Sequence, residues 1–108
     1  MGKNTEILTE SYYYILLCLK IKPMHGYGIM QETQRMSGGR VAIGSGTMYG
    51  ATGNMIKKGW IEEVVSDEPG YERKRMYRLT DAGASALEEE IKRLRQLLDS
   101  ADEVMGSK

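Results

Sequence analysis

The feature that most restricts the fold of this 108-residue chain is a heptad in its last quarter. Ala84, Leu87, Ile91, Leu94, Leu98, Ala101 and Met105 follow one another at spacings of 3, 4, 3, 4, 3 and 4, which lines them up as one apolar seam on a single long helix. Thr80 stands where an N-cap is needed, and Asp81 complements the positive end of the helix dipole. Nothing else in the chain is long enough to cover the whole seam. Its cover is either a second copy of the chain or the chain's own first helix. A homodimer is the expectation, with Leu87, Ile91, Leu94, Leu98 and Met105 in its interface. On the opposite face Glu88 with Lys92 and Glu89 with Arg93 are set for i, i+4 ion pairs, each worth about 0.3 kcal/mol.

The N-terminal part reads as three helices. TESYYYILLCLKI predicts a helix from about Glu6 to Ile21, with Thr9 or an earlier residue as cap and Pro23 as the stop. It is apolar nearly all round, so burial on two sides is expected. HGYGIMQETQRMSGG predicts a second helix over Tyr27 to Met36, with Ile29, Met30, Thr33 and Met36 inward. Ser45 is read as the N-cap of a third, which runs to about Lys58, ends at Gly59 and carries the stripe Met48, Ala51, Thr52, Met55 and Ile56. Short turns between three such helices fit a helix-turn-helix unit. WIEEVV and RMYRL then read as the strands of a β-hairpin whose long charged tip holds Pro69-Gly70. The expected fold is mainly α with a small β-hairpin: a winged helix-turn-helix over residues 1–80 and a C-terminal dimerisation helix over residues 81–108.

Composition narrows the function. No apolar stretch approaches the roughly 18 residues of a membrane span, the start lacks a secretory cleavage pattern, and Cys18 is the sole cysteine, so a cytoplasmic protein with no membrane partner is expected. With one histidine, His25, and one cysteine in the most apolar segment, no catalytic pair, zinc site or cofactor site is expected. Cys18 reads as a small buried hydrophobe, and Trp60 as a core residue with ligand contact as the alternative.

Net charge is zero, but its distribution is uneven. From Lys20 to Leu79 there are ten Lys/Arg against six Asp/Glu; from Thr80 to Met105 there are three against seven. One part of the chain is therefore suited to a polyanion while the other avoids it. Opposite the apolar stripe of the third helix lie Gly46, Tyr49, Gly50, Gly53, Asn54 and Lys57, with Ser45 and Thr47 at the N-terminal end, where free N–H groups attract phosphate. Tyr49, Asn54 and Lys57 suit phosphates or base edges. Arg73, Lys74 and Arg75 at the hairpin tip suit a phosphate backbone. His25, at the turn into the second helix, is placed to reach a phosphate or to act as a cap. Gly50 and Gly53 each cost the helix about 1 kcal/mol relative to Ala, and both fall on the face proposed to meet DNA.

Four segments, HGYGI (25–29), GTMYGA (46–51), KKGWI (57–61) and RKRMYRLTDAG (73–83), together resemble the PadR-type transcriptional regulators, a winged helix-turn-helix repressor family. The resemblance implies a dimer with interlocked first and last helices, the third helix in a major groove of double-stranded DNA, and the hairpin as a wing in or near the minor groove. It implies DNA contacts at Tyr27, Ser45, Thr47, Tyr49, Arg73 and Lys74. With one C-terminal helix the chain is similar to the short subfamily, some members of which bind planar aromatic molecules between first and last helices and release DNA. Those members use a tryptophan of the last helix; this helix has no aromatic residue, so a pocket would use Tyr12, Tyr13 or Tyr14, with Leu16, Leu94 and Leu98. The expected function is a sequence-specific, homodimeric repressor released from an inverted-repeat operator by a small molecule. The alternative is a winged-helix protein-interaction module without specific DNA binding.

Overall fold

A computed structural model describes residues 7–66, 69–70 and 74–106. The order of elements is α1 (Glu10–Ile21), β1 (Met24–His25), α2 (Gly26–Met36), α3 (Ser45–Lys57), β2 (Ile61–Val64), β3 (Met76–Leu79) and α4 (Asp81–Met105). Thr9 caps α1, its hydroxyl accepting from the Tyr12 amide at 3.1 Å. The α1 helix is central: Ile15, Leu16, Cys18 and Leu19 are buried, and it packs against α2, α4 and β3. This is why its sequence is apolar on more than one face. Around it close Ile29 and Thr33 of α2, Met48, Ala51, Thr52 and Met55 of α3, Ile61, Tyr77 and Leu87. Ile56, expected in the α3 stripe, lies at the edge and is exposed.

The sheet has three antiparallel strands in the order β1-β3-β2, one more than the hairpin read from the sequence. The added strand is Met24–His25, which pairs with Tyr77 and Met76. Two residues show no alternation, so no pattern in the sequence announces it. In the hairpin, Ile61, Glu62, Glu63 and Val64 face Leu79, Arg78, Tyr77 and Met76.

One cap differs from expectation. Ser45 is the first residue of α3, not its cap; Gly44 holds the cap position and makes no side-chain bond. At α2 the cap is His25, one of the two roles read for it, whose Nδ1 accepts from the Gly28 amide at 3.2 Å. Gly59 ends α3 with φ 79°, a left-handed conformation that needs glycine.

The wing is fastened to α4 by one short stretch. Thr80 donates its hydroxyl to the Gly59 carbonyl at 2.5 Å, donates its amide to the Trp60 carbonyl at 3.0 Å, and caps α4 by accepting from the Gly83 amide at 3.1 Å. A Cβ on Gly83 would overlap the Trp60 carbonyl oxygen. Close backbone approach, rather than turn geometry, thus explains the glycine three residues after the threonine.

The seam of α4 divides. Leu87 is 3% exposed, buried against its own subunit, and Ile91 packs partly on the same core. Leu98 and Met105 are 65% and 80% exposed, and Leu97 and Val104 nearby are exposed as well. Leu87 therefore leaves the set of expected dimer contacts: α1 covers the first turns of the seam, and α4 then extends past the rest of the fold. The expected i, i+4 pairs are replaced by i, i+3 pairs, Lys92 with Glu89 at 3.8 Å and Arg93 with Glu90 at 2.6 Å. Glu90 is 2% exposed, and the bidentate grip of Arg93 is what permits its burial. Among the described residues no helix is long and apolar enough to cross a membrane.

Candidate nucleic-acid interface

The N-terminus of α2, the N-terminal half of α3 and the base of the wing enclose a notch of about 330 Å³. Its floor is Met30, Met48 and Tyr77; its rim carries His25, Tyr27, Ser45, Tyr49, Lys74 and Arg75. Six residues singled out from three separate sequence segments thus meet around one opening. The α1–α2 turn reaches it because β1 pairs with β3, which brings His25 opposite Met76 at the wing base.

Tyr27 and Tyr49 stand out from the surface, 59% and 62% exposed, with Tyr27 accepting a 3.3 Å hydrogen bond from Gln31. Large exposed aromatics beside cations suit the sugar–phosphate surface of a nucleic acid. Arg75 lies over the Tyr49 ring, 5.2 Å from its centroid, and its Nε is 3.3 Å from Glu63 Oε2. Tyr77, Tyr49 and Glu63 close by push the Arg75 pKa further up, so the guanidinium stays charged throughout. The wing also holds a second pair, Arg78 Nε to Glu62 Oε2 at 2.9 Å, across directly opposed positions. Neither pair is anticipated from the sequence; both follow from the strand register, which sets Glu62 opposite Arg78 and Glu63 opposite Tyr77.

Other expected contacts lie elsewhere. Thr47 and Lys57 are exposed on α3 but do not line the notch. Gly46, Gly50 and Gly53 share the exposed side of α3, and a Cβ on any of them would meet nothing within 4 Å. Their absence of side chains therefore answers no need of the fold. Asn54 turns to α1: its amide donates to the Tyr12 phenol oxygen at 2.9 Å, and both border a cleft with Leu8, Thr9, Lys58 and Trp60. Arg73 lies outside the described residues.

The residues expected to hold a small molecule are not together. Tyr13 and Leu94 share a cleft of about 330 Å³ between α1 and α4 with Tyr14, Arg40, Glu90 and Arg93. Tyr12 borders the separate cleft beside Asn54, and Leu98 is exposed further along α4. Leu16 is corrected outright: it is 0% exposed, inside the core, because the α1 face that bears it is the one covered by the rest of the domain. The lone Cys18 is likewise buried, its Sγ 3.7 Å from Thr33 Oγ1, and burial pushes its thiol pKa up.

A three-helix unit with a three-stranded wing and an aromatic, cationic notch between them defines a winged-helix transcriptional regulator. The comparisons with known proteins agree. Residues 15–89 match the transcriptional regulator PadR-like family, and the chain belongs to that family. A PadR family transcription regulator from Clostridium difficile is 26% identical and superposes with a TM-score of 0.74 over 90% of this chain and 99% of its own. A transcriptional regulator from Clostridium thermocellum gives 20% identity and a TM-score of 0.74 over 86% of this chain and 87% of its own. A protein from Streptococcus mutans gives 21% and 0.74 over 97% of each chain. No curated protein matches by sequence.

Proposed function

We propose that the protein is a homodimeric repressor whose α3 and wing bind an inverted-repeat operator and which a small molecule releases. The observation that carries the DNA-binding part is the notch: His25, Tyr27, Ser45, Tyr49, Lys74 and Arg75, far apart in sequence, share one rim. In this reading α3 enters the major groove through Ser45, Thr47, Tyr49 and Lys57, Lys74 and Arg73 follow the adjacent phosphates, and residues 1–80 act as the DNA-binding part. Residues 81–108 pair the subunits, supported by the exposed Leu98 and Met105 on the outer half of α4. Two such subunits place their recognition helices about 34 Å apart, so the half-sites stand about one turn apart.

An effector, taken as a planar aromatic molecule, enters between α1 and α4, where Tyr13 and Leu94 already share a cleft. It acts only by binding the free and DNA-bound arrangements with different affinity. The cytoplasm is the compartment that fits this role.

The test is selection of bound duplexes from a random pool by the purified protein, repeated with a panel of planar aromatic compounds. An inverted repeat with one-turn spacing is expected, with elution by some member of the panel. Loss of Lys57 or Lys74 to alanine weakens binding to all sequences and lowers the salt slope by about one per contact. A wild-type protein with no DNA affinity at low salt would leave the protein-interaction module as the better reading.

A further inference from the structure

We propose that Glu63 is a specificity-determining residue: with the Tyr49 ring it holds Arg75 against the recognition helix and withholds that cation from sequence-independent phosphate contacts. This rests on the DNA-binding reading above.

Two elements converge on the Arg75 guanidinium: Tyr49 of α3 beneath it at 5.2 Å and Glu63 of β2 at 3.3 Å. The strand register produces this. Glu63 faces Tyr77, and Arg75 is two residues before Tyr77, so Glu63 and Arg75 are diagonal neighbours on one face of the hairpin, within reach of long side chains. Glu62 and Arg78, one position from Glu63 and from Tyr77 respectively, belong to the other face and form their own pair. Among the described residues the wing carries two glutamate–arginine pairs, and of these only the one on the α3 side includes a residue of α3.

Both partners of the Glu63–Arg75 pair are about half exposed, so the guanidinium is accessible to a phosphate but already occupied. Binding to arbitrary DNA gains its free energy from the number of phosphates neutralised. A phosphate contact by Arg75 must first displace the Glu63 carboxylate, which lowers the return on non-specific binding. A site that accepts Tyr49 and Arg75 as a stacked unit leaves the pair in place. The carboxylate therefore weighs more heavily against random sequence than against the operator.

The experiment compares wild type, Glu63→Gln, Glu62→Gln, Arg75→Gln and the Glu63→Gln/Arg75→Gln double variant on the selected operator and on a random-sequence duplex across a salt series. Glu63→Gln is expected to tighten random-duplex binding about two- to fivefold, the scale of an exposed ion pair. The salt slope steepens by about 0.9, one added phosphate contact, operator affinity changes less, and the specificity ratio falls. In the Arg75→Gln background the same substitution gives no gain. A gain that persists there, or an equal gain from Glu62→Gln, reflects plain removal of a negative charge and overturns the proposal, as does unchanged or weakened random-duplex binding. A wild type that binds no DNA refutes the DNA-binding reading itself; a wild type that binds beside an unresponsive Glu63→Gln refutes only the role of Glu63.

Discussion

The side-chain amide of Asn54 donates a 2.9 Å hydrogen bond to the phenol oxygen of Tyr12, joining α3 to α1, the helix that packs on α4. An asparagine on the outward side of a recognition helix reads, by residue type, as an adenine contact. Here its amide is already engaged within the chain. Asn54→Ala and Tyr12→Phe should each lower stability by about 0.5–1.5 kcal/mol and be non-additive in a double-mutant cycle. Denaturant melts supply the energies. The sequence logo from DNA selection with Asn54→Ala should match wild type; relaxation at one base position would return Asn54 to base reading.

Gly50 and Gly53 have open space where a Cβ would stand. Alanine at both should raise stability by about 2 kcal/mol, the helix-propensity difference. For a chain of this size that raises the melting temperature by about 8–16 °C. Operator affinity should fall, because the methyl groups hold the backbone of α3 away from the groove floor. A variant that is more stable and binds equally well would mean that these glycines serve no groove contact.

Gly83 is the opposite case. Its substitution by alanine drives a methyl group into the Trp60 carbonyl and should destabilise the fold by about 1–3 kcal/mol. Thr80→Ala removes the cap of α4 and should cost about 1 kcal/mol. Urea titrations of the two variants give the comparison, and a smaller loss for Gly83→Ala than for Thr80→Ala would show that α4 shifts to make room.

The division of the α4 seam predicts two different phenotypes. Leu87→Ala opens a cavity in the domain core and should lower stability by about 2–5 kcal/mol. Leu98→Asp lies on the exposed half and should leave the domain folded but dissociate the dimer, as read by light scattering together with circular dichroism. If Leu98→Asp remains dimeric, the outer half of α4 is not the subunit contact.

Much of the fold is legible along the chain because its signals are local. Thr9 and Thr80 cap helices through bonds three residues long, Pro23 and Gly59 stop them, and the 3.6-residue stripe of α3 selects Met48, Ala51, Thr52 and Met55 for burial. Residue type and helix face likewise marked most of the notch. The errors arise where a non-local partner decides. Ser45 has the chemistry of a cap, yet the backbone enters α3 one residue earlier. Leu87 has the spacing of a seam residue, yet it is buried within one subunit.

The sequence by itself determined the order of helices, the wing and the family, because capping, periodicity and turn chemistry act over a few residues and leave their marks in order. Only the tertiary structure decided which side chains meet. It paired Met24–His25 with the wing, gave Asn54 to Tyr12, and set Arg75 between Glu63 and Tyr49. Each of those contacts depends on how separate elements pack, and packing responds to the whole core at once rather than to any stretch of the chain.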